Sequence, residues 1–338
     1  MALLEVRNLK VHFKIQDGWV KAVDGVSFTI DSGETMGLVG ESGCGKTTAA
    51  YAITQLLPPN GHIKGGHIYY KGNDLLKLSM HKDGRLDDFN EEVRKIRWKE
   101  ISMIFQGAMN AFNPVFKIGD QIVEAIMLHE DIDEEKAKKR VKELFAFVGI
   151  PEDRIENYPH EFSGGMKQRA MIALALALSP SFIIADEPTT ALDVITQDRI
   201  LFEIKKLQEE WHMAMMIITH DVSVVAEVAD KIAVMYAGKI MEIGATKQVF
   251  KNTAHPYTAG LLGSFPSILG PRKRLQSIPG FPPDLVNPPS GCPFHPRCPY
   301  VQEKCKAEKP KAIEIEPGHK AYCHFSVELW SKLKRGEA

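Results

Sequence analysis

The chain of 338 residues has no apolar run long enough to cross a bilayer. The longest, Ala170 to Leu178, falls far short of the ~20 residues that a spanning helix needs. Neither charge is in surplus: 42 Lys and Arg stand against 43 Asp and Glu. That balance argues against bulk electrostatic attachment to nucleic acid, though not against a local basic patch. No leader is evident, because Met1-Ala2-Leu3-Leu4-Glu5-Val6-Arg7 puts acid and base next to the start without a cleavage pattern. A cytoplasmic location is therefore expected, and any membrane role needs partner chains. Cysteine is scarce until the last fifth, where Cys292, Cys298, Cys305 and Cys323 follow the solitary Cys44. In a reducing compartment, four clustered cysteines suggest a metal site more than disulfides. The remaining composition, 44% hydrophobic and 25% charged, is that of an ordinary globular protein. There is no internal repeat.

Proline divides the chain. Of 20 prolines, 12 lie at or after Pro266, and proline breaks helices and central strands. The body, up to about Ser264, is expected to be regular and the tail mostly irregular. The opening alternates at strand spacing through Leu4, Val6, Leu9, Val11 and Phe13, and then through Val20 to Ile30. Further strands are predicted at Thr35–Val39, Ile101–Phe105, Phe182–Ala185, Ala214–Ile218 and Ile232–Met235. Helices are predicted at Thr47–Leu57, across Ile118–Val148, and at Met166–Leu178, Val194–Trp211 and Val222–Ala229. Apolar strands alternating with helices imply an α/β fold with a buried, mostly parallel sheet and an antiparallel β edge.

Gly40-Glu41-Ser42-Gly43-Cys44-Gly45-Lys46-Thr47 fits G-x-x-x-x-G-K-[ST] in full, between a predicted strand and a predicted helix. Glycines let the backbone curl so that its amides point at phosphate oxygens, and the helix N-terminus adds positive dipole. Lys46 is expected to reach the terminal phosphates and Thr47 to ligate Mg²⁺, with Thr48 beside it. Cys44 reads as a loop amide, since no histidine adjoins it to make a reactive thiol. Downstream, Asp186-Glu187 follows the apolar strand Phe182–Ala185, at the edge where open parallel sheets bind ligands. Asp186 can hold the Mg²⁺ shell, and Glu187 can polarise a water aimed at the γ-phosphate. Alone, this pair reads as an acidic turn before Pro188; with the glycine-rich loop it becomes half of one nucleotide site. Gln106 and His220 also follow strands, Gln106 within reach of Mg²⁺ or water.

A second amide cluster, Phe162-Ser163-Gly164-Gly165-Met166-Lys167-Gln168-Arg169, opens a predicted helix. Here the chain resembles an ATP-binding-cassette ATPase over about residues 1–265. Gly40–Thr47 is similar to the Walker A loop and Ile183–Glu187 to the Walker B strand. Gln106 resembles the Q-loop glutamine, and Ser163–Met166 the signature, with Phe162 and Met166 in place of the usual Leu and Gln. Ala191-Leu192-Asp193 resembles the D-loop, and His220 the switch histidine. The resemblance implies a P-loop NTPase core with a helical subdomain at about 107–178. It also implies two cassettes head to tail around ATP, with Ser163, Gly164, Gly165 and Asp193 meeting the partner's nucleotide. The Asn110–Phe116 region would couple closure to a membrane subunit. An early aromatic residue usually stacks on adenine in this family; Phe13 is the candidate and Trp19 the runner-up, although Phe13 equally suits a strand core.

His255-Pro256-Tyr257-Thr258-Ala259-Gly260-Leu261-Leu262 resembles the element that marks the oligopeptide and dipeptide permease ATPases, and this likeness runs through the extension at 266–338. It implies ATP-driven import of short peptides at the cytoplasmic face of the membrane. The expected partners are a second ATPase, by preference a paralogue, two transmembrane permease subunits and an extracytoplasmic peptide-binding protein, with no nucleic acid. The alternative is a soluble cassette ATPase acting on ribosomes or DNA; a single cassette and a neutral charge argue against it. The tail reads C-x5-C-x6-C-x17-C. It lacks the tight pair usual at structural zinc, and its wide gaps suit a larger cluster. Relatives in this group carry a [4Fe-4S] cluster in a similar tail, so an iron–sulfur cluster is expected, with zinc or free thiols as alternatives and His295 and His324 as further candidate ligands.

Overall fold

The computed structural model describes residues 2–87, 90–107, 111–189, 193–264 and 278–334. Two compact units emerge, one from 31–33 with 88–217, the other from 2–30, 34–87 and 218–338.

The second unit carries the glycine-rich loop. Leu4–Ile15 pairs antiparallel with Gly18–Ile30 on one side and Gly61–Tyr70 on the other, and the short Asn73–Asp74 completes this sheet. Alternation buries Leu4 and Val6, and a bulge after Val6 shifts the pattern by one residue so that Leu9 and Val11 are buried in turn. A second set of strands centres on Thr35–Val39, buried along its whole length and parallel to Lys231–Tyr236. Lys231–Tyr236 pairs antiparallel with Lys239–Ala245. The helix Val222–Val228 lies on Thr35–Val39 because Gly37 has no side chain; a Cβ there would come within 2.3 Å of Val225 Cγ1. The predicted Thr47–Leu57 helix is shorter, Lys46–Ile53, and Gln55 beyond it takes a left-handed φ of 60°.

The described part of the tail is irregular over most of its length, but not throughout. It contains the strands Ile313–Glu316 and His319–Ala321 and the helices Glu303–Ala307 and Ser326–Lys334. His319–Ala321 pairs antiparallel with Lys239–Ala245, and Ile313–Glu316 adds outside it. Pro310 and Pro317 flank these strands rather than interrupt them, so no ladder donor is lost. A buried carboxylate with three partners fixes the docking. The Glu242 carboxylate, fully buried, accepts from the amides of Ala254 (2.8 Å) and His255 (3.1 Å) and lies 2.7 Å from His319 Nε2.

In the other unit, Ile101–Ile104 runs parallel to Phe182–Asp186, and Ala214–Ile218 is the next strand. Phe182–Asp186 and Ala214–Ile218 are buried at every position, matching their unbroken apolar sequence. The predicted helical span 118–148 is two helices, Ile118–His129 and Glu134–Phe147. Asp133 starts the second by accepting from the Lys136 amide at 2.8 Å. The helix Gly164–Leu176 packs beside Ile101–Ile104.

Candidate functional site

Gly40–Thr48 and His220 belong to the loop-bearing unit; Gln106, Ser163–Gly165, Asp186, Glu187 and Asp193 belong to the helical one.

In the loop, Gly40, Gly43 and Gly45 have φ of 153°, 77° and 104°. Gly40 and Gly45 also run against backbone, where a Cβ would lie 2.0 Å from the carbonyl oxygens of Met235 and Ala22 respectively. Only glycine fits both demands. The buried Lys46 ammonium donates to the carbonyls of Gly40 (2.9 Å) and Glu41 (3.0 Å), so its charge is fixed inside the loop. Cys44 is buried, and burial pushes its thiol pKa up, which agrees with a backbone role. Thr47 and Thr48 sit half-buried in the first turn of Lys46–Ile53. Ser42 and Gly43 are exposed at the loop's tip.

Glu41 behaves unlike its neighbours. Its amide donates to the buried Tyr257 hydroxyl at 3.0 Å. Its carboxylate accepts from both terminal nitrogens of Arg297, at 2.7 and 3.0 Å. Burial opposes the Arg297 charge, but the bonds to Glu41 and Tyr236 outweigh it and raise the guanidinium pKa. No local pattern marks this contact, because Glu41 occupies an unrestricted motif position and Arg297 lies 256 residues away.

His220 is exposed, one residue beyond Thr219, whose Oγ1 accepts from the Asp221 amide at 3.0 Å. Asp221 caps the helix Val222–Val228 through the Ser223 amide, so turns on both sides fix His220. Phe13 is half-buried and paired with Val20 and Gly61, while Lys14 pairs with Trp19. Opposed residues share a face and successive ones alternate, so Phe13 and Trp19 lie on opposite faces of the sheet. The Lys64 ammonium sits 3.8 Å from the Trp19 ring centroid, and His62 meets the ring edge-on.

In the helical unit, Gln106 Nε2 donates to Glu187 Oε2 at 2.7 Å. Glu187 directly follows the strand Phe182–Asp186 and has a left-handed φ of 48°. Such backbone costs a non-glycine residue about 1 kcal/mol or more. The segment is braced by Gln168, a buried residue that sequence reading did not single out, which donates to the Pro188 carbonyl at 2.7 Å. Asp186 is buried at the strand end.

Ser163 caps the helix Gly164–Leu176, its hydroxyl accepting from the Met166 amide at 3.2 Å. Asp193 caps Val194–Glu210 through Thr196. The bonds from Thr196 keep its carboxyl pKa low. Ala191 and Leu192 of the D-loop likeness, and Asn110 of the coupling segment, lie outside the described residues. The rest of that segment holds Val115 and Phe116 at 70% and 56% exposure. Gln121 Nε2 braces it by donating to the carbonyls of Asn113 and Phe116, each at 3.0 Å.

Cys292, Cys298, Cys305 and Cys323 line one small pocket together with Phe294, Phe325 and Leu329. Burial raises the Cys292 thiol to about 11 and Cys298 to about 12. His295 Nδ1 and His324 Nε2 are 3.0 and 2.9 Å from the carbonyl oxygens of Cys292 and Glu308. Among the described residues, no three His, Cys, Asp or Glu side chains are arranged to hold a metal ion. The expectation of a metal-binding tail, iron–sulfur or zinc, is therefore not supported among the described residues.

A family profile described as "ABC transporter" matches residues 23–190, and one described as "Oligopeptide/dipeptide transporter, C-terminal region" matches residues 241–305. The chain is 47% identical to the oligopeptide transport ATP-binding protein OppD of Bacillus subtilis, covering 94% of this chain and 87% of that protein. It is 46% identical to the dipeptide transport ATP-binding protein DppD of the same organism, covering 99% and 96%. Against OppD of Escherichia coli the identity is 44%, covering 97% and 94%. Among solved structures, the dimeric post-hydrolysis state of the ATP-binding cassette MJ0796 bound to ADP and Pi aligns with a TM-score of 0.63 at 27% identity. That alignment covers 72% of this chain and 98% of that one. The chain belongs to the ABC transporter ATPases, within the family of oligopeptide and dipeptide transport ATP-binding subunits.

Proposed function

We propose that this chain is the ATP-hydrolysing subunit of an importer of oligopeptides or dipeptides. The observation that carries it is the full-length likeness to transport ATP-binding proteins, tail included. A ribosome- or DNA-directed ATPase is disfavoured by that same likeness and by the net charge of -1. In this reading, residues 1–265 form the nucleotide-binding part, with a helical subdomain at about 107–178, and 266–338 the extension.

The amides of Gly43 to Thr48 and the Lys46 ammonium bind the triphosphate, while Thr47, Gln106 and Asp186 hold Mg²⁺. Glu187 accepts a proton from the attacking water, and His220 steadies the γ-phosphate. Ser163, Gly164, Gly165 and Asp193 meet the nucleotide of a second ATPase, by preference a paralogue. ATP thereby joins the two subunits, and hydrolysis separates them. The exposed Val115 and Phe116 on their braced turn suit contact with a permease subunit. Two such subunits and an extracytoplasmic peptide-binding protein complete the assembly, with this chain on the cytoplasmic face. Phe13 is the proposed adenine stacker, and the opposite-face placement makes it an alternative to Trp19 rather than its companion.

The donor set in the tail fits a [4Fe-4S] cluster held by Cys292, Cys298, Cys305 and Cys323. The reading rests on the wide C-x5-C-x6-C-x17-C spacing, without the tight pair usual at zinc, and on the four cysteines lining one pocket. When bound, the cluster would tie the tail together covalently.

The test is peptide uptake in cells that lack their own importer and receive this chain with its permease neighbours. Uptake that depends on the chain and is lost with Glu187→Gln supports the reading. Uptake that is unchanged without the chain rejects it.

A further inference from the structure

Arg297 terminates the short helical turn His295–Arg297 and directly precedes Cys298. Its side chain leaves the cysteine pocket and reaches the phosphate loop. Every nitrogen of its guanidinium has a partner. Nε donates to the Pro279 carbonyl (2.8 Å). Nη1 donates to Glu41 Oε2 (2.7 Å) and the Tyr236 hydroxyl (3.3 Å), and Nη2 to Glu41 Oε1 (3.0 Å) and the Ile278 carbonyl (3.4 Å). Phe294, on the pocket wall, stacks its edge against Tyr236 and Tyr257, with centroids 5.4 and 5.3 Å away. Tyr257 accepts the Glu41 amide. Both polar ends of one loop residue are thus held by groups packed on the tail.

We propose that Arg297 is a positioning residue for nucleotide, clamping Glu41 so that the phosphate loop is set and its one carboxylate is neutralised before the triphosphate arrives. This rests on the reading of Gly40–Thr47 as the nucleotide loop. Two physical effects converge. A bidentate guanidinium–carboxylate pair fixes orientation as well as distance, and a loop already ordered loses less entropy when it binds. An unpaired carboxylate in the loop would repel a triphosphate, and the guanidinium cancels that repulsion. The tail therefore acts on ATP affinity without touching ATP.

The experiment is equilibrium binding of MgATP to the full-length chain by titration calorimetry, with melting temperature recorded for each variant. Arg297→Ala is expected to raise Kd roughly tenfold. Adding Glu41→Gln to that variant is expected to restore most of the loss, because no bare carboxylate remains. Tyr257→Phe removes one acceptor with little change in volume; it is expected to raise Kd roughly threefold and stays informative if Arg297→Ala does not fold. Unchanged affinity in Arg297→Ala or in Tyr257→Phe overturns the proposal. So does a double variant as weak as Arg297→Ala, since a merely structural staple would not be relieved by removing a charge. Wild-type chain that binds no MgATP removes the nucleotide reading and this inference with it. Wild-type binding with unaffected variants removes this inference alone.

Discussion

The Gln106 side-chain amide donates to the Glu187 carboxylate at 2.7 Å, across 81 residues of sequence. The bond joins the end of one buried strand to the end of its parallel neighbour, so Glu187 is oriented by something other than substrate. Glu187→Gln is expected to keep MgATP binding within about threefold and to lower kcat by about 10²-fold or more, the contribution of a positioned base. Gln106→Ala is expected to lower kcat by about tenfold or more, because the base remains but loses its orientation and Mg²⁺ loses one proposed ligand. Steady-state ATPase assays with the companion subunits check both. Turnover undiminished in Glu187→Gln would take that residue out of the base role.

The left-handed backbone at Glu187 allows a cleaner comparison. Glu187→Gly and Glu187→Ala both lose the carboxylate and the Gln106 bond. They differ in how easily a φ of 48° is held. The glycine variant is expected to be more stable than the alanine one by about 1 kcal/mol, read from chemical denaturation. Equal stabilities would show that the backbone relaxes once the side chain is gone.

Much of this was legible in the sequence for definite reasons. Thr35–Val39 and Phe182–Ala185 are short apolar runs between breakers, and both are fully buried strands. The loop glycines were identified by spacing, and the structure adds why Gly40 and Gly45 admit nothing larger. What stayed hidden is contact between distant, individually ordinary residues. Gln168 looks like one more polar residue in a helix until its amide meets the Pro188 carbonyl. Glu41 and Arg297 belong to different regions of the chain and share no local pattern. The strands near the end are hidden by the proline content of the tail as a whole, whereas the prolines themselves fall outside the ladders.

The buried Glu242 anchors that tail. Glu242→Leu removes the acceptor for the Ala254 and His255 amides and for His319 Nε2. Each buried donor left without its acceptor costs about 1–3 kcal/mol. The variant is expected to melt at lower temperature and to be cut by trypsin after Lys304, Lys306 or Lys311 faster than wild type. Identical digestion patterns would mean that the tail is held by its apolar contacts alone.

For the cysteine pocket, chain prepared without oxygen and reconstituted with iron and sulfide is expected to hold about four irons per molecule. Cys298→Ser is expected to lose most of that iron. Iron content near zero with zinc in its place, measured by plasma mass spectrometry, would reject the cluster.

Lys239–Ala245 would have one flank bare if the polypeptide stopped before Ile313, and a row of unpaired amides and carbonyls invites strands from other molecules. The outermost strand, Ile313–Glu316, instead ends the row with Glu314 and Glu316, whose like charges repel a second copy. Truncated forms should therefore clump in solution before they lose any chemistry, and the final residues serve colloidal behaviour as much as architecture.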